Sequence, residues 1–292
     1  MKPPPFEYAA PTSVEEALAL LNGGAEEARP LAGGQSLVPL LNMRFARPTL
    51  LVDLGRVAGL DGVEHRNGSV RIGAMVRQRT LETDVRIRDR LPLLADAVGH
   101  VAHVAIRTRG TVGGSLAHAD PAAELPPAAI VLGARFVVRA ADGSQRSVPA
   151  AGFFLGAYTT AIGPGELLEA VELDVPQPGT GWAFLETTRV HGAFALVGVA
   201  ALVGLGVGGE VAWARLALCG VGSAPYAPEW LDDVLLGERA GEEAFAAVGA
   251  RVAASIEPHG DGHAGPEHRR RLAAVLTRRA LVLASERARE GA

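Results

Sequence analysis

Ala32-Gly33-Gly34-Gln35-Ser36 and Thr111-Val112-Gly113-Gly114-Ser115 are the two stretches on which the reading of this chain turns. The second runs on into Leu116-Ala117-His118-Ala119-Asp120-Pro121. Each pairs two glycines with hydroxyl or amide side chains. Glycine lets the backbone take φ > 0 and approach a ligand closely. Successive N–H groups in such turns form concavities that suit anions. Two segments of this kind, about eighty residues apart, predict one ligand whose diphosphate is held from two sides. Taken alone, either stretch reads equally well as an ordinary turn.

The 292 residues leave room for about two domains. Hydrophobic residues make up 48% and charged residues 21%, a balance that argues against disorder. The net charge of −4 offers no electrostatic footprint for nucleic acid or an anionic membrane. Local basic runs, Arg86-Ile87-Arg88-Asp89-Arg90 and Arg269-Arg270-Arg271, are expected to be solvated faces. The single cysteine, Cys219, excludes an intrachain disulfide and any cluster held by four thiolates of this chain, and reads as a small core residue. No apolar leader follows Met1-Lys2-Pro3-Pro4-Pro5-Phe6, and the apolar run 193–208 is too short and too glycine-rich to span a bilayer. A soluble cytoplasmic protein is expected.

Working outward from the two stretches, residues 12–22 read as a helix with Ser13 as N-cap, Glu16 three residues on, and Gly23-Gly24 as the stop. Leu37 to Phe45 is predicted helical, and Leu50-Leu51-Val52-Asp53-Leu54 suits a buried strand. Asn67-Gly68 predicts a hairpin over 63–76, and Asp142-Gly143 a second between Ala134–Ala140 and Arg146–Val148. Thr80–Val85 and Leu91–Val98 carry helical periodicity. Pro176-Gln177-Pro178-Gly179-Thr180-Gly181 has linker composition and places a domain boundary near 176. Beyond it, Ala183–Thr188, Ala195–Leu205 and Val211–Cys219 read as three strands, and 226–256 and 267–288 as helices, the first interrupted near Gly237 and Gly241.

Several candidate chemistries fall away. Gly204-Leu205-Gly206-Val207-Gly208-Gly209 matches the dinucleotide fingerprint formally, but a strand-like run follows it instead of a helix, so a hairpin turn is expected. His100, His103 and His118, and separately His259, Asp261, His263, Glu267 and His268, lack the spacing that makes a metal site persuasive. No Gly-x-Ser-x-Gly elbow is present, and Lys2 is the sole lysine, which removes the phosphate-binding lysine of a P-loop.

At this point the residues match a family pattern. Leu31-Ala32-Gly33-Gly34-Gln35-Ser36-Leu37-Val38-Pro39 resembles the first FAD motif of the flavoprotein (medium) subunits of molybdenum hydroxylases, such as aerobic carbon monoxide dehydrogenase. Ile106-Arg107-Thr108-Arg109-Gly110 through Glu124-Leu125-Pro126 resembles the second. The likeness extends to Arg47-Pro48, Ile72-Gly73-Ala74, Phe153 to Tyr158, Pro164 to Leu168 and Leu276 to Ala280. It implies an α+β fold: a PCMH-type FAD-binding domain over 1–176, built of two small α/β subdomains (about 1–57 and 58–176). A C-terminal domain over 177–292, a three-stranded antiparallel sheet with helices, completes it.

The same resemblance implies that FAD meets Leu31, Ala32, Gly33, Gly34, Gln35, Ser36 and Leu37 from the first motif. It implies Gly110, Thr111, Gly113, Gly114, Ser115, Ala119, Asp120 and Glu124 from the second, with Leu167, Leu168 and Phe194 near the flavin ring. Two departures stand out: Ala193 precedes Phe194 where the family often has aspartate, and Thr108 replaces the usual asparagine. The implied role is electron transfer within a complex, with a molybdopterin-binding large subunit and a [2Fe-2S] small subunit as partners, in a dimer of heterotrimers. The alternatives are a stand-alone flavin-dependent oxidoreductase, with His191 or Tyr158 as its ambiguous candidates near the flavin, and a structural subunit that has lost FAD.

Overall fold

A computed structural model describes residues 2–24 and 27–291. The chain begins with β1 (Glu7–Ala9), α1 (Val14–Asn22), β2 (Ala28–Leu31), α2 (Leu37–Asn42) and β3 (Leu50–Asp53). Ser13 caps α1, its side chain accepting from Glu16 N–H, while the Glu16 carboxylate accepts from Thr12 N–H at 2.8 Å. The capping box therefore closes one residue earlier than its usual reciprocal form. The three strands form a parallel sheet in the order β1-β3-β2, and Ala17 and Leu18 of α1 pack on Val52 in its core.

The next unit contains β4 (Val63–Arg66), β5 (Ser69–Gly73), α3 (Gln78–Thr83), α4 (Val85–Arg90), α5 (Pro92–His100), α6 (Val104–Arg109), α7 (Val112–His118) and α8 (Leu125–Val131). It closes with β6 (Arg135–Ala140), β7 (Gln145–Pro149), β8 (Phe154–Gly156), β9 (Thr159–Thr160) and β10 (Glu166–Asp174). Both predicted hairpins form, with Gly68 and Gly143 at φ +77° and +83°. The last strand, β10, pairs antiparallel with β5 on one side and β6 on the other, giving the order β4-β5-β10-β6-β7. Asp84 breaks the helical run after Thr83 and N-caps α4, its carboxylate accepting from Arg86 N–H.

The second glycine-rich stretch is not the loop expected from its composition. It is the first turn of α7, because Thr111 is extended and its side chain accepts from Gly114 N–H. A capped N-terminus outweighs the helix-weakening effect of two glycines.

The remainder forms β11 (Gly181–Thr188), β12 (Ala195–Leu205), β13 (Val211–Cys219), α9 (Leu231–Leu235), α10 (Glu242–Ser255) and α11 (Pro266–Glu290). The strands make an antiparallel sheet with β12 in the centre, and Gly206 to Glu210 form the turn that rejects the dinucleotide fingerprint. One face of this sheet, with Phe184, Ala200, Leu202 and Ala217, joins the core of the preceding unit. The other, with Val199, Ala201 and Val203, packs on α10 and α11. Being covered on both faces explains why β12 reads as one continuous apolar run.

The basic run at 269–271 departs from expectation. Arg269 is buried, donating to the carbonyls of Leu196 and Gly220 and to Asp261 at 2.6 Å, so it ties the start of α11 to the strand ends. Nothing in the local charge pattern shows that carbonyls without partners lie opposite it.

Candidate functional site

The first glycine segment leads from β2 into α2 through Gly34, whose φ of +74° only glycine adopts without strain. Val38 N–H donates to Gly34 O at 3.0 Å, and Gln35 Nε2 to Gly33 O at 3.0 Å. Among the described residues, no protein acceptor takes the N–H groups of Gly33, Gly34, Gln35, Ser36 or Leu37. These are unspent donors aimed from a tight turn, the arrangement an anion requires.

The second segment is different. Val112 N–H goes to Val76 O (2.9 Å), Gly113 N–H to Ala74 O (2.8 Å), Gly114 N–H to Thr111 Oγ1 (3.0 Å) and Ser115 N–H to Thr111 O (3.2 Å). Its backbone donors are consumed inside the protein. What it offers are hydroxyl hydrogens from Thr111 and Ser115, and closeness of approach. A Cβ on Gly113 would stand 2.7 Å from Ala74 Cα, and one on Gly33 would stand 2.8 Å from Gly110 Cα. Gly33 and Gly113 have no room for a side chain because another stretch of backbone lies against each.

The two segments wall a cavity of about 620 Å³, inside the range of pockets that take sizeable organic ligands. Ala32, Gly33, Gly34, Gln35, Ser36 and Leu37 line it from one side. Gly110, Thr111, Gly113, Gly114 and Ser115 line it from the other. Asp120, Glu124, Leu167, Leu168 and Phe194 complete the set of expected residues brought together there. Leu31 and Ala119 are not on the wall. Leu31 ends β2 and lays its side chain over Gly34, while Ala119 is the left-handed C-cap of α7 (φ +49°) and its carbonyl accepts from Tyr158 N–H.

Other wall residues had no signal in the motifs. Gln78 is buried at the start of α3, with Oε1 unpartnered and pressed against Gly110. Val101, Ala102 and His103 form a turn whose Ala102 sits at φ +43°, a strained value for alanine. Arg107 holds that turn: one guanidinium nitrogen donates to Val101 O (2.8 Å) and Ala102 O (3.0 Å), while the others pair with both oxygens of Glu82. Arg107 lies within the second motif, but its partners do not. Thr108 turns away and bonds Val104 O within α6, so its departure from asparagine leaves the wall untouched.

Charge in the cavity is set by burial. Glu124 is 5% exposed, and desolvation, followed by the negative charge of Glu186, pushes its pKa up to about 8. It therefore carries a proton at neutral pH and can donate. Burial also lowers the His118 pKa and raises that of Tyr158, whose ring lies 5.0 Å from His118. Asp120 accepts from Ala122 N–H and from the Tyr158 hydroxyl. Unspent amides and hydroxyls at the glycine segments, with apolar Ile106, Ile162, Leu167 and Leu168 elsewhere on the wall, suit a dinucleotide that has an anionic middle and a ring system.

Residues 4–178 match the family described as the FAD binding domain in molybdopterin dehydrogenase, and 182–284 match the CO dehydrogenase flavoprotein C-terminal domain. The chain is 39% identical to 6-hydroxypseudooxynicotine dehydrogenase complex subunit alpha of Paenarthrobacter nicotinovorans, covering 99% of this chain and 97% of that one. It is 38% identical to caffeine dehydrogenase subunit beta of a Pseudomonas species, covering 98% and 97% respectively. A solved chain of carbon monoxide dehydrogenase from Hydrogenophaga pseudoflava superposes with a TM-score of 0.95 at 38% identity, covering 98% of this chain and 99% of that one. The chain belongs to the FAD-binding medium subunits of the molybdenum hydroxylase family. It is the flavoprotein component of an oxidoreductase, and its cofactor is FAD.

Proposed function

We propose that this chain is the electron-transferring flavin subunit of its complex, taking electrons from a [2Fe-2S] small subunit and passing them through FAD to an external acceptor. FAD supplies the redox chemistry when bound. The protein binds, orients and tunes it. The free amides of Gly33 to Leu37 and the hydroxyls of Ser36, Thr111 and Ser115 are assigned to the diphosphate, and Leu167, Leu168 and Phe194 to the ring system. Glu124 donates a hydrogen bond to the cofactor. In this reading 1–176 is the FAD-binding domain and 177–292 the C-terminal domain. Substrate is oxidised on a molybdopterin-binding large subunit, within a cytoplasmic dimer of heterotrimers.

The observation that carries this reading is the meeting of two glycine segments, distant in sequence, around one cavity with unspent donors on its wall. Purified alone, the chain is expected to hold FAD and to oxidise no organic substrate, while co-purification from its source yields the two partners. Turnover of an organic substrate by the isolated chain would sink the reading in favour of a stand-alone flavoenzyme. Absence of flavin from correctly folded protein would favour a structural subunit. Gly114→Trp, whose Cβ alone would fall 2.7 Å from Thr111 Oγ1 and 3.3 Å from Ala32 Cβ, is expected to abolish FAD retention.

A further inference from the structure

Gln78 opens α3 on the wall of the FAD cavity, and it is only 4% exposed. Its Oε1 is buried without a hydrogen-bond partner. A glutamine amide holds one acceptor oxygen and two N–H donors. Left dry and unpaired such a group is costly, and folded proteins nearly always supply a partner. The other glutamine on this wall behaves otherwise, since Gln35 Nε2 donates to Gly33 O at 3.0 Å. Gln78 keeps its side-chain amide for something that is not protein.

The surroundings explain why no protein group meets that amide. The backbone N–H of Gln78 donates to Gly110 O at 2.9 Å, and Gly110 N–H donates to Ile106 O at 2.7 Å. The Arg77 guanidinium donates to Arg109 O. The carbonyls here therefore already hold hydrogens. Gly110 lets the amide lie close against backbone, since a Cβ there would stand 3.0 Å from Gln78 Cδ. Gly110 in turn lies against Gly33, whose own Cβ would stand 2.8 Å from Gly110 Cα. Gln78 thus sits at the seam of the two glycine segments, beside the free amides that begin at Gly33.

We propose that Gln78 is a cofactor-binding residue whose carboxamide hydrogen-bonds a sugar hydroxyl of FAD, on the ribose or the ribitol, next to the diphosphate. The proposal rests on FAD occupying the cavity with its diphosphate at Gly33 to Leu37. Ribose and ribitol flank the diphosphate in FAD, so a sugar lies beside the seam whichever way the cofactor runs. A hydroxyl both donates and accepts. It therefore pairs with Oε1 or with Nε2, and rotation about the broad terminal torsion brings either atom to the cavity. A phosphate oxygen only accepts; it would take Nε2–H and leave Oε1 unpaired. A site built to hydrogen-bond a hydroxyl rejects an analogue that lacks it, because its own buried polar group then goes unpaired. Gln78 is in this way a specificity-determining residue for the sugar.

The test titrates the flavin-free full chain, in its complex where partners co-purify, with FAD and two analogues. One analogue lacks the ribose 2′ and 3′ hydroxyls, and the other lacks the ribityl hydroxyls. The wild type is expected to bind one of them about tenfold more weakly than FAD, which identifies the sugar. Gln78→Met, of similar length but without strong hydrogen-bonding groups, is expected to lose about tenfold in FAD affinity and nothing in affinity for that analogue. A merely structural role would weaken all three flavins equally and preserve the wild-type preference. That result would overturn the proposal, as would equal affinity of the wild type for all three. Should Gln78→Met not fold, Gln78→Asn, whose amide is drawn back by one methylene, is read in the same way. Failure of the cofactor reading looks different: a folded wild-type chain then takes up none of the three flavins.

Discussion

At Arg107 a single side chain decides the shape of the cavity wall. Its bidentate contact with Glu82 fixes the guanidinium plane, and that plane presents a donor to the carbonyls of Val101 and Ala102. Lysine keeps the charge but cannot serve both partners. Arg107→Lys is therefore expected to release the strained turn at Ala102, cost about 1–3 kcal/mol of stability, and weaken FAD binding, measurable by urea titration and by flavin release. Glu124 makes a second prediction. Its folded pKa of about 8 exceeds the ordinary carboxyl value of 4.5. Its contribution to stability is thus fully present below the unfolded value and is lost as pH rises through the folded one. The FAD-free wild type should lose stability between about pH 5 and 8, and Glu124→Gln should lose less over that window. Parallel denaturation curves for the two chains at both ends of the window would contradict this assignment.

Among the elements, α11 and β11 show how close approach is bought with small residues. Gly181 begins β11, and a Cβ there would fall 2.6 Å from Ala288 N and 2.8 Å from Ala284 C. The facing stripe of α11 is Ala273, Ala280, Ala284 and Ala288, all buried. Gly181→Val should push the helix off the sheet at a cost of about 1–3 kcal/mol, read as a fall in Tm with FAD content preserved. The glycine segments behave differently as elements. The first, before the short helix α2, keeps its amide donors free, whereas the second spends them on capping α7 and on Ala74 and Val76. Both were legible as glycine-rich turns beside hydroxyls. Their division of labour was not, because it depends on Ala74 and Val76, far away in sequence and featureless in composition.

For the whole molecule, the central fact is that the third sheet is covered on both faces. Phe184, Ala200, Leu202 and Ala217 share a core with the helices and the five-stranded sheet that precede residue 176. A fragment ending at 176 would expose that surface to water, at roughly 25 cal/mol for each Å² of apolar area. We expect residues 1–176 expressed alone to aggregate or to lack a cooperative transition, and the full chain to unfold in one calorimetric step. Two well-separated transitions in the full chain would show that the two parts are energetically independent.

The amino-acid sequence by itself determined the hairpins at Asn67-Gly68 and Asp142-Gly143, the capped helix after Ser13, the three C-terminal strands and the family pattern carried by the two glycine stretches. These depend on turn chemistry, capping and periodicity, which act over a few residues and are written in order along the chain. Only the tertiary structure decided which amides remain free, why Leu31 and Ala119 leave the cavity wall, that Arg269 is buried, and that Glu124 is buried on that wall. Each of those outcomes depends on which distant backbone or charge packs against a residue, and local pattern holds no record of that.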